Sequence, residues 1–279
     1  MSMSVNTNLF SLNAQRSLSK SQSSLSTSMQ RLSSGLRINS AADDAAGLAI
    51  SQRMNAQVRG MNVAIRNAND GISLSQTADG ALASVSDSLQ RMRELAVQSR
   101  NSTNSDSDKE SLNLEFGQLS DEITRVLGGT TFNGKLILGS DAGTLTFQVG
   151  ANVTTNDSID ISTTDMTADA AITTVTGATI GSAADATALA TVITDIDAAI
   201  DDVNSQRATF GASQNRFNAV VSNLQASVEN QSASASRITD ADFAAETAAM
   251  SRAQILQQAG TAMVAQANQM PQSVLKLLS

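Results

Sequence analysis

Apolar residues recur at intervals of three and four along most of this chain, which is the spacing of helices that pack side by side. Near the N-terminus, four of them alternate like the a and d positions of a coiled coil: Leu25, Met29, Leu32 and Leu36. Near the C-terminus, a longer stripe alternates large and small side chains: Leu256, Gly260, Met263, Ala267, Met270, Val274 and Leu277. We therefore expect a helix at each end of the chain, packed against partner helices through these two stripes.

Two long helical patterns occupy the middle of the chain, at residues 41–99 and 183–236, and a shorter one lies at 107–127. A capping box consists of a Ser or Thr followed three residues later by an acid. This pattern occurs at the start of each of these three helices and of the C-terminal helix. The four pairs are Ser40 and Asp43, Ser107 and Glu110, Ser182 and Asp185, and Thr239 and Asp242. We expect the Ser or Thr to cap each helix.

The segment that joins the first helix to the second is predicted to be a turn between domains, formed by Ile38, Asn39, Ser40, Asp43 and Asp44. Both acids are expected in the first turn of the second helix, where a carboxylate interacts favourably with the helix dipole.

The hydrophobic period changes to two between the long helices. Leu145, Phe147 and Val149 alternate with polar residues, which predicts a half-buried strand, and residues 158–162 are its expected hairpin partner. Asn133 and Gly134 form the dipeptide typical of a type I′ turn. Residues 163–182 have weak periodicity, so we expect a loop or a short β excursion there.

The order of these elements is nearly palindromic, with a terminal helix and a long helix on each side of the β segment. The sequence thus predicts a mainly α fold, a long antiparallel helical bundle or coiled coil with a small β-hairpin region inserted in the middle. We expect residues 1–40 and 240–279 to form an inner terminal coiled-coil domain. Residues 41–239 would form an outer helical domain, with 130–182 as its β-rich exterior segment.

Charge is distributed unevenly along the chain. The net charge is −8, yet residues 136–206 contain ten Asp and no Lys or Arg, so the rest of the chain has a net charge of +2. The four basic residues among the first forty are too widely spaced for a nucleic-acid or lipid-binding patch and indicate a solvated helix face. With aromatics at 3%, there are also few rings on which bases could stack.

Composition excludes several kinds of enzyme. The chain contains no His and no Cys, so neither a Ser-His-Asp or Cys-His site nor a HExxH zinc site can form. It has no phosphate-binding glycine motif either. We expect no catalytic, cofactor or metal site. No segment has the pattern of a cleaved signal peptide or the roughly 20 apolar residues of a transmembrane helix, so we expect no membrane insertion.

Eight stretches resemble, in chain order, motifs of the bacterial flagellin family. They are VNTNLFSLNAQ, RLSSGLRINSAADDAAGLAI, NANDGIS, LQRMRELAVQ, TTFNGKLIL, GASQNRF, RITDADFAAE and QANQMPQSVLKLL. This resemblance implies a structural subunit that assembles with itself into the extracellular flagellar filament used for swimming. It also implies export without a cleaved signal peptide through the flagellar export apparatus, and an export chaperone and a filament cap as partners.

The resemblance further implies a surface that is recognised by the animal Toll-like flagellin receptor, at Arg91, Leu95 and Glu115. Two other functions stay open at this point. The related hook–filament junction protein shares the terminal patterns, and a cytoplasmic coiled-coil adaptor or membrane-surface binder would need similar seams. Filament growth from seeds would favour the flagellin interpretation, and partner or liposome binding without self-assembly would favour the adaptor.

Overall fold

The computed structural model describes the backbone of residues 7–278 and the side chains of residues 7–270. Within them, the helices are α1 (Leu9–Ser34), α2 (Ala45–Ser99), α3 (Asp106–Gly129), α4 (Ala170–Thr176), α5 (Ala186–Thr239) and α6 (Phe243–Leu278). The strands are β1 (Thr131–Phe132), β2 (Lys135–Leu136), β3 (Thr144–Gln148) and β4 (Ser158–Ser162), with a 3₁₀ turn at Thr155–Asp157. The predicted mainly α fold with β hairpins in the middle of the chain is confirmed.

By its internal contacts the chain divides into two compact units. The terminal unit consists of Met1–Ala56 with Asn230–Ser279, and the middle unit consists of Gln57–Glu229. The divisions lie inside α2 and α5, whereas the predicted domain boundaries at 40/41 and 239/240 lie at the turns after α1 and before α6. The assignment of an inner and an outer domain stays a prediction.

The middle unit has a core of large apolar side chains. In this unit α2 and α5 run antiparallel, as shown by two ion pairs: Asp79 with Arg207 at 2.8 Å and Arg93 with Asp197 at 2.6 Å. The largest fully buried side chains come from α2, α3, α5, β4 and the segment after β2, and include Phe116, Phe210, Phe217, Leu82, Leu89 and Met92. This core is typical of a domain that can fold without a partner.

One glycine of α2 makes room for an aromatic side chain of α5. A Cβ atom on Gly71 would lie 2.7 Å from Cζ of Phe217, so the ring occupies the space that a side chain would need. The same ring meets Phe147 of β3 edge-on, with the ring centroids 5.6 Å apart. The helix nevertheless continues through Gly71, because this packing offsets the roughly 1 kcal/mol by which glycine disfavours a helix.

Both β predictions are confirmed. β3 and β4 pair antiparallel, with Leu145 opposite Ile161 and Phe147 opposite Ile159. Asn133 and Gly134 link β1 to β2, and both have positive φ, 50° and 81°, as a type I′ turn requires.

The expectation of a loop or β excursion at residues 163–182 is wrong, because this segment contains α4. Asp169 caps this helix by accepting hydrogen bonds from the backbone N–H groups of Ala171 and Ile172. Ile172 and Val175 are buried on its inner face, and Ile180 is buried just beyond it. Seven helical residues are too few for the helical period to be seen in the sequence.

Three of the four predicted helix caps are also wrong. The helices α2, α5 and α6 are each capped by an aspartate instead of the predicted Ser or Thr. The caps are Asp44, Asp185 and Asp242, respectively. For example, Asp185 accepts hydrogen bonds from the N–H groups of Thr187 at 3.0 Å and Ala188 at 2.7 Å. A carboxylate satisfies the free N–H groups and interacts with the helix dipole at once, which a hydroxyl cannot do.

The fourth predicted cap is displaced by two residues. The capping box of α3 is formed by Ser105 and Asp108, rather than by Ser107 and Glu110. Glu110 instead accepts hydrogen bonds from the backbone N–H and the hydroxyl of Ser182, and the pKa of Glu110 is lowered by these bonds. The sequence contains both Ser-x-x-acid pairs, so the pattern alone does not identify the one that caps.

Candidate interaction surface

Helices α1 and α6 of the terminal unit form an antiparallel pair. At one end, the side chain of Asn8 donates a hydrogen bond to the carbonyl of Ala267 at 2.7 Å, and the hydroxyl of Ser11 donates to Oδ1 of Asn268 at 2.7 Å. At the other end, Arg31 and Glu246 lie 3.8 Å apart. These contacts fix the register of the two helices over most of their length.

The inner face of this pair is formed largely by small and polar side chains. On α1 the positions turned towards α6 are Ser11, Ala14, Leu18, Ser21, Leu25, Ser28 and Leu32. On α6 they are Glu246, Met250, Ala253, Gln257, Gly260, Val264 and Ala267. A Cβ atom on Gly260 would lie 3.2 Å from Cδ1 of Leu18, so the glycine allows the helices to approach closely. Such a face buries little apolar area.

The two predicted stripes are divided between this inner face and the surface. Leu25, Leu32, Gly260 and Ala267 lie on the inner face, whereas Met29, Leu256, Met263 and Met270 are exposed. Leu36 lies beyond the end of α1 and is half-buried. The side chains of Val274 and Leu277 lie outside the described residues. The stripes predicted from the sequence follow the large apolar residues, whereas several positions of the inner face are occupied by serine. The signal was present in the seven-residue spacing of Ser11, Leu18, Leu25 and Leu32.

One long edge of the pair is apolar. The exposed residues Leu256, Met263 and Met270 follow each other at intervals of seven along α6, and we call this set the apolar edge. Beside it, the two helices enclose an open groove of about 430 Å³. The main apolar residues that line it are Phe10, Ala14, Leu18, Leu256, Gly260 and Met263.

The opposite long edge of the pair is mostly polar. Its exposed residues are Gln15, Gln22, Gln254, Thr261 and Asn268, and we call this set the polar edge. Met29 is the exposed apolar side chain that lies beside it on α1. The pair therefore presents two chemically different flanks.

The segment after α1 is held against the start of α6. Gly35 ends α1 in the left-handed conformation, with φ at 73°, and its carbonyl accepts a hydrogen bond from the N–H of Ala241 at 2.9 Å. The N–H of Arg37 donates to the carbonyl of Thr239 at 2.6 Å, and Ile38 is buried. These bonds connect the two ends of the helix pair that lie next to the turn.

A carboxylate organises the rest of this turn. One oxygen of Asp43 accepts hydrogen bonds from the N–H of Ser40 at 2.9 Å, the N–H of Asn39 at 3.1 Å and the hydroxyl of Ser40 at 3.0 Å. These bonds lower the pKa of Asp43 below its usual value, with the backbone bond from Ser40 as the largest cause. Asp44 then caps α2, so both acids precede the helix instead of lying in its first turn.

The three residues of the expected receptor surface lie in the middle unit, in two different environments. Arg91 of α2 forms ion pairs with Glu115 of α3 at 2.8 Å and with Glu94 at 2.9 Å, and all three side chains are exposed. The hydrogen bonds that Arg91 donates to Glu94, and then to Glu115, raise the pKa of Arg91. Leu95, by contrast, is 0% exposed and packs in the core, so it presents no surface to a partner.

The part of the chain that the structure describes contains neither a candidate metal site nor a candidate membrane-spanning helix. Among its residues, no group of three or more His, Cys, Asp or Glu side chains could hold a metal ion. None of the helices over the described residues is long and apolar enough to cross a membrane. The exposed edges of the α1–α6 pair are thus the most unusual surface of the described chain.

Two family models match most of the sequence. The bacterial flagellin N-terminal helical region matches residues 5–142, and the bacterial flagellin C-terminal helical region matches residues 193–278. Between these two matches lie β3, β4, α4 and the start of α5.

Curated relatives match over the whole length. A flagellin of Halalkalibacterium halodurans is 46% identical over 276 residues, which cover 99% of this chain and 100% of that protein. A flagellin of Bacillus subtilis is 44% identical over 305 aligned positions, with 99% of this chain and 100% of that protein covered.

A solved structure of a flagellin, from Bacillus cereus, is also similar. It is 35% identical, covers 57% of this chain and 88% of its own, and has a TM-score of 0.49. Since both terminal helical regions match the family and the two curated flagellins align over almost all of this sequence, the chain belongs to the bacterial flagellin family.

Proposed function

We infer that the chain is a structural subunit of the extracellular bacterial flagellar filament, and that it assembles with copies of itself through the edges of its α1–α6 pair. It is not an enzyme, in keeping with a family of structural proteins. The observation that supports the assembly surface most directly is the apolar edge. Relatives named flagellin favour this function over the hook–filament junction protein and over a cytoplasmic adaptor.

The apolar edge has the properties of a contact surface. Soluble monomers seldom expose contiguous apolar patches of more than a few hundred Å², and larger patches mark interaction sites. Complete burial of one Leu or Met side chain contributes about 1.5–3 kcal/mol. If a second copy covered the exposed apolar side chains of α1 and α6, their burial would therefore contribute a large favourable free energy to the contact.

The difference between the two edges also suits a polymer. A contact between two unlike surfaces repeats from copy to copy and generates an open filament unless the rotation closes a ring. The two edges of the helix pair differ, so they can contact different parts of neighbouring copies and support such an open assembly, whereas a single self-complementary patch would give a closed dimer.

Polymerisation of the purified chain tests this function. Monomer seeded with short filament fragments, or treated with a precipitating salt, should form long helical filaments that are visible by electron microscopy. Monomer that stays dispersed under both conditions, and instead binds liposomes in a salt-dependent way, would contradict the proposal and favour a membrane-surface adaptor.

We also propose, from the family resemblance, that an export apparatus, an export chaperone and a filament cap are partners of this chain. Deletion of the flagellar export apparatus in a host that produces the chain should retain it inside the cell. Equal amounts in the medium with and without that apparatus would contradict this route.

The segment 130–182 is proposed to lie on the filament exterior. Its loop between β3 and β4 includes Val153, whose side chain is wholly exposed, so an insertion there should leave both monomer and filament intact. The junction of Thr176 and Gly177 is less suitable, because the carbonyl of Thr176 accepts a hydrogen bond from the hydroxyl of Ser120. Loss of filaments on insertion at Val153, with the monomer still folded, would count against an exterior position.

Recognition by the animal Toll-like flagellin receptor remains a proposal that rests on Arg91 and Glu115. Both are exposed and joined by an ion pair, whereas Leu95 can act only by supporting the helix that presents Arg91. The double variant Arg91→Ala, Glu115→Ala should lower receptor signalling by folded monomer. Arg125→Ala, which removes an exposed ion pair with Glu122 closer to the C-terminal end of α3, serves as the control. Unchanged signalling by the double variant would exclude this surface.

A further inference from the structure

The described methionines differ in exposure: those of the middle unit are buried, Met54 and Met250 of the terminal unit are half-buried, and three on the edges of the α1–α6 pair are exposed. Met61, Met92 and Met166 of the middle unit are buried, with exposures of 7%, 0% and 2%. Met29 of α1 and Met263 of α6 are 52% and 62% exposed. Met270 is also exposed, at 39%. The most exposed methionine residues thus lie on the helix pair that forms the candidate interaction surface.

Exposed methionine reacts readily with peroxides. The thioether sulfur attacks one peroxide oxygen, an S–O bond forms as the O–O bond breaks, and the remaining oxygen leaves as water when the oxidant is hydrogen peroxide. Sulfur is oxidised by two electrons and the peroxide is reduced by two. The product, methionine sulfoxide, is polar and is reduced back by a pair of reductases, one for each sulfoxide epimer.

We propose that Met263 and Met29 are oxidation sites that control assembly, in that sulfoxide at either position prevents the subunit from joining the polymer. This inference rests on the proposed function, since it requires that these side chains become buried between copies. Met263 lines the groove together with Phe10 and Leu256, so a sulfoxide oxygen there would be placed among apolar groups. Burial of a polar group without a hydrogen-bond partner is unfavourable, and the same group is fully solvated in the monomer.

The two methionines lie on opposite flanks of the α1–α6 pair. Met263 belongs to the apolar edge, and Met29 lies beside the polar edge. A subunit oxidised at only one of them would have one intact flank and one blocked flank. Such a subunit can bind to a filament end through its intact flank but cannot receive the next copy, so it would cap growth at low abundance.

Assembly should in turn protect these residues. Once another copy covers both edges, peroxide no longer reaches Met263 and Met29, and the filament is expected to resist an exposure that inactivates monomer. The sensitive state is thus the subunit before it joins the filament.

The test uses the full chain and dilute hydrogen peroxide. Monomer and preformed filament are treated in parallel, the sulfoxide at each methionine is measured by peptide mass spectrometry, and the treated monomer is then added to filament seeds. Sulfoxide should accumulate at Met263 and Met29 in monomer well before Met92 or Met166, and should be scarce at both in filament. The concentration of monomer required for growth should rise by about tenfold or more, which corresponds to one unsatisfied buried polar group.

Leucine variants and treatment with reductase test whether oxidation of these particular methionines causes the loss of growth. The triple variant Met29→Leu, Met263→Leu, Met270→Leu keeps the apolar surface, has no exposed methionine left on either edge of the described pair, and should polymerise normally after peroxide treatment. Met166→Leu, at a buried position of the middle unit, should remain sensitive. Treatment of oxidised wild-type monomer with both sulfoxide reductases should restore growth.

Two results would overturn the inference. One is normal growth of wild-type monomer that is fully oxidised at Met263 and Met29, and the other is equal sensitivity of the triple leucine variant. If untreated wild-type monomer did not grow from seeds at all, the proposed function itself would fail, and this inference would fail with it.

Discussion

The terminal and middle units use apolar residues in opposite ways. In the middle unit, large side chains such as Phe116, Phe210 and Phe217 are buried in a core shared by α2, α3, α4, α5 and the β segment. In the terminal unit, Ser11, Ser28, Ala253 and Ala267 are buried, whereas Phe10, Leu256 and Met263 are exposed. The middle unit buries its large apolar side chains within itself, whereas the terminal unit leaves several of them exposed to solvent.

This difference has an energetic consequence. Ordering a residue costs roughly 1–2 kcal/mol of backbone entropy, and burial of apolar area returns about 25 cal/mol per Å². The inner face of the α1–α6 pair, built from Ser, Ala and Gly with a few Leu, returns little of that cost. We therefore expect the helix pair, but not the middle unit, to depend on neighbouring copies for its stability.

The largest expected effect comes from a charge on the apolar edge. Met263→Asp should abolish seeded polymerisation, because burial of an unpaired carboxylate between copies costs several kcal/mol. The middle unit should unfold at the same denaturant concentration as in the wild type. The matched controls are Met263→Leu, which keeps the apolar surface, and Gln258→Asp, which adds the same charge on the outer face of α6 away from this edge. Normal filaments from Met263→Asp would show that the apolar edge is not a contact.

A change in the core of the middle unit should have the opposite profile. Phe217→Ala removes a ring that packs on Gly71 and Phe147, and it should lower the free energy of unfolding by about 3–5 kcal/mol. Leu114→Ala, at a position 73% exposed, should change it by less than about 0.5 kcal/mol. Urea titration followed by circular dichroism measures both, and similar values for the two variants would contradict the assignment of the core.

A pair of glycines in α2 provides a finer comparison within one helix. Gly80→Ala should stabilise the chain by about 0.5–1 kcal/mol, because nothing lies within 4 Å of the added methyl group and alanine favours the helix. Gly71→Ala should destabilise it by about 1–3 kcal/mol, because the methyl group meets the Phe217 ring. Thermal unfolding of the two variants measures the difference. Stabilisation by both would show that the ring moves aside easily.

The smallest expected effect is the dependence of stability on pH. Hydrogen bonds from Ser105, Ser182 and Arg93 lower the pKa values of Asp108, Glu110 and Asp197, respectively. These acids thus bind protons more tightly in the unfolded chain, so their stabilising contribution is present above about pH 4 and is lost as the pH falls further. The chain contains no His or Cys, so urea midpoints should be nearly constant from pH 5 to 8 and should decline only below about pH 4. A marked fall between pH 7 and pH 5 would contradict this explanation.

The periodic elements were predictable from the sequence, and the cases that failed share a physical reason. Long stripes predicted α1, α2, α5 and α6, and Asn133 with Gly134 predicted its turn because few other dipeptides adopt two positive φ values. Three caps failed because an aspartate caps the helix instead of the Ser or Thr, and the fourth failed because a second Ser-x-x-acid pair lies two residues before the predicted one. Periodicity also could not reveal α4, which is shorter than two and a half helical turns.

The candidate surface was predictable only in part, for a related reason. A stripe at intervals of three and four predicts a packed face, but it does not say whether the partner belongs to the same chain or to another copy. Leu25 and Gly260 face the other helix of the pair, whereas Met29 and Met263 do not. The seven-residue spacing of Ser11, Leu18 and Leu25 distinguishes the two sets once serine is counted as an inner residue.

Amide hydrogen exchange on monomer and on filament tests the central claim most directly, namely that the terminal helix pair is stabilised by neighbouring copies. In dilute monomer, the amides of residues 9–34 and 243–270 should exchange almost as fast as in an unfolded chain, while those of residues 82–96 and 196–210 stay protected. In the filament, all four stretches should be protected. If α1 and α6 were protected in dilute monomer as strongly as the middle unit, the pair would be stable by itself and the claim would be wrong.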